Sequence, residues 1–234
     1  MKTAISTACF YLEEETETAL SLIKETGADV CAVHLQTFYE YRPEFAKRYA
    51  ANLGGAEVCS VHTRAHNFEP QLFSPSRRVR GDGFYWLEQV MRSAQLFGAK
   101  KYVLKAPLVS GEEALQYLSS VYKFCSDCGI VLCVENSRGG ILNTPSAVAR
   151  IKSACPGILF SLNLSEAGRS ACSAYLKAMS DSLSQVVVNA GARFGELVNK
   201  LNEVAFDGEI VIETPGFTQI SQLKSLVNSL KSLI

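Results

Sequence analysis

Short apolar runs alternate with longer amphipathic ones eight times along this chain, and no other feature of the sequence narrows its fold as far. The candidate strands are 3–7, 29–35, 57–63, 101–106, 130–135, 158–163, 185–189 and 209–213. Helical periodicity occupies 17–25, 43–53, 84–97, 112–125, 145–152, 170–179, 196–205 and 219–233. Strands buried on both faces read as continuous apolar runs, which is what a parallel sheet covered by helices contains. Gly129-Ile-Val-Leu-Cys-Val-Glu135 is the clearest of them. Eight strand-helix units predict a closed (β/α)8 TIM barrel rather than an open doubly wound sheet, and no GxGxxG follows the first strand to suggest a dinucleotide fold. With 234 residues, 47% of them hydrophobic, and no linker or low-complexity segment, the chain is expected to form one domain over 1–234.

Local signals support several helices. Ser110-Gly-Glu-Glu113 reads as a capping box, Asp82 as the cap of the third helix, and Thr144-Pro145 as a cap followed by proline at the first helical position. Gly98, Gly129 and Gly208 end or follow helices and lead into strands.

Twenty-three basic against 23 acidic residues give zero formal charge, so nothing draws the molecule as a whole to nucleic acid or an anionic membrane. The first ten residues are broken by hydroxyls and followed by Glu13-Glu14-Glu15, which lacks the apolar stretch of a signal peptide, and no run reaches membrane-spanning length. A cytoplasmic protein is the expectation, with its eight cysteines read as free thiols packed among apolar neighbours. Cys125-Ser-Asp-Cys128 has CxxC spacing but no second pair, so plain packing is favoured over zinc or redox chemistry.

In a barrel of this type catalytic groups sit at the strand C-termini. There the sequence places His34, His62, Lys105, Glu135, Asn163, Asn189 and Glu213. A single polar residue at a strand end is ordinarily the first residue of a loop, and His34 reads that way. Glu135 and Glu213 are different, because each ends an all-apolar run and the two strands stand well apart around the ring. They are expected to converge on the barrel mouth, with Lys105 on the adjacent strand as the countercharge of Glu135. The long third loop, 63–82, carries His66 and Arg77, Arg78 and Arg80, which could grip an anion or form a solvated charge run. The seventh loop, Asn189-Ala-Gly191-Ala-Arg193, is a candidate phosphate or carboxylate cradle at a helix start, with ordinary turn glycines as the alternative.

Ser60-Val-His62-Thr63 with Phe68 to Ser74, Ala94 to Val103, Val134-Glu135-Asn136, Leu162-Asn163 through Arg169, and Gly208 to Glu213 together resemble the xylose isomerase-like barrels. This group contains sugar-phosphate isomerases, epimerases and endonuclease IV-type enzymes. The resemblance implies a divalent metal (Mn, Zn or Mg) held by a Glu on the fifth strand, an Asp on the sixth, a His on the seventh and a Glu on the eighth. Glu135 and Glu213 match the two glutamates, but Asn163 replaces the Asp, Val187-Val188-Asn189 offers no His, and Lys105-Ala106 stands where His-Gly is common. Each departure weakens attraction for a cation, so no cofactor is expected, although a divalent metal on Glu135 and Glu213 is possible.

The resemblance then implies an isomerase or epimerase acting on a small carbohydrate or sugar phosphate. Glu135 and Glu213 would be the acid/base pair and Lys105 would stand in place of the metal, while His62, His66, Asn163, Arg169, Asn189 and Arg193 hold the substrate. The alternative is a non-catalytic relative that binds a metabolite or a protein partner. A third reading makes Lys105 a Schiff-base nucleophile, which an adjacent Glu135 would oppose. Neither nucleic acid nor membrane is an expected partner, and the oligomeric state is not legible.

Overall fold

A computed structural model describes residues 1–11, 13–105, 111–168, 170–214 and 219–234. Eight parallel strands, β1 (Lys2–Ser6), β2 (Val30–Leu35), β3 (Glu57–Thr63), β4 (Lys101–Lys105), β5 (Val131–Glu135), β6 (Leu159–Asn163), β7 (Leu183–Val188) and β8 (Glu209–Ile212), close in chain order into a barrel. Closure is made by β1 pairing with β8 as well as with β2. The helices are α1 (Thr16–Leu22), α2 (Pro43–Tyr49), α3 (Arg77–Leu96), α4 (Glu112–Asp127), α5 (Ala147–Ala154), α6 (Leu164–Ala167), α7 (Cys172–Met179), α8 (Phe194–Glu203) and α9 (Ile220–Lys231). This is the expected (β/α)8 barrel. No helix among the described residues is long and apolar enough to cross a membrane.

The large core lies between the strands and the helices. Ile5, Val33, Tyr102, Leu104, Val134, Phe160, Ile210 and Ile212 point outward into it. A separate small cluster of Ala4, Val30, Ala32, Cys59, Val187 and Val211 fills the inside of the ring. Small and β-branched side chains suit that interior, because eight strands leave room only for a packed filling.

Two irregularities decide which side chains face inward. Between β2 and β3 the register passes from Cys31↔Val58 to Ala32↔Ser60, so Cys59 is an extra residue on β3. An added residue inverts the alternation beyond it. Val58 and Val61 consequently both face the outer core while Cys59, Ser60 and His62 turn inward. On β7 the register passes from Phe160↔Leu183 to Ser161↔Gln185, skipping Ser184. Val186 and Val188 then face outward, and Gln185 and Val187 face in.

At the base of the ring Lys101 Nζ donates to Glu209 Oε2 at 2.5 Å and to Ser184 Oγ at 2.9 Å. This joins β4, β7 and β8, and both charged side chains are largely buried. Gly208, just before β8, is required by a close approach rather than by its dihedrals: an added Cβ would lie 2.0 Å from the Ser184 carbonyl oxygen. The left-handed residue after α8 is Ala205, φ 51°, with Phe206 N–H donating to Leu201 O at 3.0 Å in a Schellman-type end. Gly98 and Gly129 do take positive φ, as expected.

Two start signals differ from expectation. α3 begins at Arg77, so Asp82 lies inside it and Ser76 precedes it. Gly81 and Gly83 argue locally against that extension, but at Gly83 a Cβ would lie 2.9 Å from Leu72 N, so the glycine lets the helix lie directly on the 69–73 turn. The three arginines at 77, 78 and 80 are therefore helical; Arg80 donates to Ser74 O and Pro75 O and stacks on Tyr117. Before α5, Ala147 N–H bonds to Thr144 O and Val148 N–H to Pro145 O, a tight turn that delays the helix to Ala147, and Thr144 Oγ1 faces Ser146 Oγ instead of capping. Ser110 lies outside the described residues, and Gly111 flanks α4. All eight cysteines are free, with only Cys128 not fully buried.

Candidate functional site

At the carboxyl ends of the strands the inward side chains leave a cavity of about 520 Å³. Glu135, the last residue of β5, and Glu213, one residue beyond β8, both line it. The two glutamates that end apolar runs thus share one cavity. Glu135 is 6% exposed. Its Oε1 accepts from Asn163 Nδ2 and its Oε2 from Ser161 Oγ, both at 3.2 Å. Burial, with the Glu213 charge adding to it, pushes the Glu135 carboxyl up to about 7, against the opposing influence of Lys105 and the two hydrogen bonds. Glu213 Oε2 is buried and has no hydrogen-bond partner, an acceptor turned on the site with nothing to accept from.

Lys105 does not pair directly with Glu135, although the two residues are in register across β4 and β5. Its ammonium donates to Glu166 Oε1 at 2.9 Å, and Glu166 Oε2 accepts from the Arg138 N–H at 3.3 Å. Glu166 is on α6, a single turn immediately after β6, and that turn brings its carboxylate over the neighbouring strand end. Burial works against the Lys105 charge, but the Glu166 bond and the charges of Glu135, Glu166 and Glu213 outweigh it and raise its pKa. The side chain still lines the cavity. A lysine held charged in this way is the wrong starting state for Schiff-base formation.

The floor is a hydrogen-bonded relay. Gln185 Nε2 donates to Ser161 Oγ at 3.1 Å and lies 3.4 Å from His62 Nε2, which also meets Ser60 Oγ at 3.1 Å. Ser161 in turn donates to Glu135. Burial lowers the His62 pKa to about 4, with His34 and Lys101 adding to the effect and Glu213 opposing it, so His62 is neutral at pH 7. His34 also lines the cavity, contrary to its reading as a loop residue. It is inside because Val30, Ala32 and His34 alternate along the inward face of β2. Its ring stands 6.0 Å from that of His62, its Nδ1 lies 2.6 Å from Gln36 Nε2, and burial lowers its pKa.

His66 and Asn189 line the cavity from exposed positions. Arg193 does not: it lines an adjoining cavity. Arg169 lies outside the described residues. Ser161, Gln185 and Glu166 belong to the site but sit mid-strand or on a four-residue helix, where a strand-end survey does not look. The signal that could have found the first two is a polar residue interrupting a run that is otherwise apolar.

The donor set does not suit a resident divalent cation. Asn163 Oδ1 accepts from the Ser165 backbone N–H at 3.1 Å and from Ser165 Oγ at 2.6 Å, which fixes the orientation of its amide. The group it turns to Glu135 is therefore the NH2, a donor rather than a ligand. Asn189 spends its Oδ1 on the Gly191 N–H at 3.0 Å. Lys105 brings a positive charge to the same rim, and no cluster of three or more His, Cys, Asp or Glu among the described residues has metal-binding geometry.

No family model and no curated protein matches this sequence. Solved structures do match over the whole chain. D-psicose 3-epimerase from Clostridium cellulolyticum H10, crystallised with D-tagatose, is 12% identical with a TM-score of 0.81, covering 100% of this chain and 99% of that one. A D-tagatose 3-epimerase-like protein is 19% identical with a TM-score of 0.80, covering 99% and 97%. A xylose isomerase domain protein from Planctomyces limnophilus is 12% identical with a TM-score of 0.75, covering 99% and 95%. The chain has the fold of the xylose isomerase-like barrels.

Proposed function

We propose that the mouth cavity isomerises or epimerises a small keto-sugar by proton transfer at the carbon next to its carbonyl. The observation that carries this is the pair of carboxyl groups in one cavity with unlike surroundings: Glu135 is raised to about 7 and so is about half protonated at neutral pH, while Glu213 presents an unpartnered oxygen. Glu213 takes the proton from carbon. The C–H electron pair becomes the new C=C bond, and the carbonyl pair moves onto oxygen. Protonated Glu135 then delivers its proton to carbon, and the two carboxyls re-equilibrate through solvent before the next turnover. Lys105, kept charged by Glu166, steadies the enediolate oxygen, and neutral His62 contributes hydrogen bonding without competing for the proton. The structural neighbours that are named as sugar 3-epimerases support the same class of substrate.

The test is solvent deuterium exchange. D-fructose and D-tagatose are incubated with the protein in D2O, with and without EDTA, and the carbons flanking the carbonyl are followed by proton NMR. Wash-in of deuterium that survives chelation is expected, because the described residues form no metal ligand set. A protein whose melting temperature rises with these sugars while no carbon exchanges would be a non-catalytic binder, and the acid/base assignment would fall.

A further inference from the structure

The hydrogen bonds of the cavity floor have directions that can be followed inward from Glu135. Ser161 Oγ gives its one hydrogen to Glu135 Oε2, so toward Gln185 Nε2, 3.1 Å away, it can only accept. That sets the Gln185 amide with its NH2 toward Ser161 and leaves its Oε1 buried without a partner. The same NH2 stands 3.4 Å from His62 Nε2, and Ser60 Oγ is 3.1 Å from that nitrogen. Gln185, Ser60 and Ser161 are fully buried, so these bonds are made among the protein's own groups. A hydrogen on His62 Nε2 would point at an amino group that has only hydrogens to offer, whereas a bare Nε2 accepts from Gln185 and from Ser60 together. The ring is neutral, because burial lowers its pKa to about 4, and it therefore carries its one proton on Nδ1. Nδ1 has no hydrogen-bond partner among the described residues, and His62 lines the cavity.

We infer that Gln185 is a positioning residue that locks His62 in the Nδ1–H form, so that the imidazole presents a fixed donor to the substrate oxygen that becomes negative when carbon is deprotonated. The Nδ1–H bond stays intact throughout: the ring hydrogen-bonds to the enediolate oxygen beside the Lys105 charge and passes no proton. A donor already aimed where charge develops stabilises the transition state without having to reorient. A neutral imidazole in water favours the Nε2–H form, so the floor imposes the less stable tautomer. Both partners reach the interior only through the single-residue irregularities of β3 and β7, which turn Ser60, His62 and Gln185 inward. The use made of the proton rests on the proposed function; the tautomer does not.

The experiment reads the two separately. Long-range proton–nitrogen NMR correlations of the histidine rings are recorded at pH 7 on the wild-type chain, Gln185→Met and Ser60→Ala, with the His62 signals identified by their loss in His62→Gln. The wild-type chain should show a protonated Nδ1 and a bare Nε2. Ser60→Ala should keep that pattern, because the Gln185 amide still faces Nε2, and Gln185→Met should release it, with Nε2–H turning to Ser60 Oγ as acceptor. In deuterium exchange into D-fructose, Gln185→Met should lower kcat by about 100-fold or more with KM little changed, the loss expected when one aligned donor is removed. A wild-type His62 protonated on Nε2 overturns the inference, and that spectrum decides even if Gln185→Met does not fold. Nδ1–H retained in a folded Gln185→Met overturns the role of Gln185, and an unchanged kcat in a variant whose tautomer has switched overturns the donation to substrate. A Gln185-dependent Nδ1–H in a chain that exchanges no ketose upholds the lock and removes the catalytic reading instead.

Discussion

Glutamine in place of Glu213 is expected to reduce deuterium exchange into a ketose by roughly 100- to 10,000-fold, the range general acid/base groups supply. The fold should survive, since Glu213 Oε2 makes no hydrogen bond that the change would break. Glu135→Gln should cost activity on the same scale, because a neutral amide cannot deliver a proton to carbon, and it carries a second signature in stability. The Glu135 pKa in the folded chain, about 7, lies above the ordinary 4.5, so the folded state binds the proton more tightly than the unfolded chain does. Its stabilising effect is complete below about 4.5 and disappears as pH rises through about 7. Glu69, buried and also raised to about 7 by burial, contributes a decline of the same sign. Melting temperatures measured from pH 5 to pH 8 should therefore fall with pH in the wild-type chain and fall less steeply in Glu135→Gln. Full exchange activity in either glutamine variant would remove the substituted residue from the reaction. An unaltered pH slope in Glu135→Gln would show that this carboxyl titrates in its ordinary range.

Gly208→Ala should be among the most destabilising small substitutions in the chain. The added methyl would sit 2.0 Å from the Ser184 carbonyl oxygen and 2.7 Å from the Phe206 ring. The ring can turn aside, but the carbonyl belongs to the strand that pairs with β8 and cannot do so without shifting the barrel register. Forced overpacking of this kind costs about 3 kcal/mol or more. For a chain of this length that corresponds to a melting temperature lower by roughly 6–12 °C. Gly195→Ala is the control, since its Cβ would meet nothing within 4 Å. Equal melting temperatures for the two variants would mean that β7 and β8 are further apart at this point than described.

The sequence carried the barrel legibly because each strand is a run of apolar residues long enough to be recognised without its neighbours; none of the eight is displaced by more than two residues at either end. Glu135 and Glu213 were legible for the same reason, as charges ending such runs. What escaped was set by contacts across the fold. Register across β4 and β5 did place Lys105 opposite Glu135, yet Glu166 reaches the ammonium first, from a helix too short to show any periodicity. The start of α3 was obscured by Gly81 and Gly83, and at Gly83 only the approach of Leu72 explains the choice. Gln185 and the inward turn of His62 depend on extra residues at Ser184 and Cys59, and single-residue irregularities in pairing leave no mark on a strand read alone.

The Lys101–Glu209 contact at the base has a bearing on how long the barrel, once formed, stays closed. Its partners are 108 residues apart and sit on strands that are not neighbours in the ring, so the contact is made only after the intervening units are in place. Interactions absent from the folding transition state act on the rate of unfolding and hardly on the rate of folding. Glu209→Gln should accordingly steepen the escape from the native state while refolding proceeds at nearly its original speed; a chevron displaced on the refolding arm instead would place this contact early in folding. A barrel fastened across its base in this manner owes its persistence to a latch that engages last, which leaves the loops at the opposite rim at liberty to vary without shortening the lifetime of the fold.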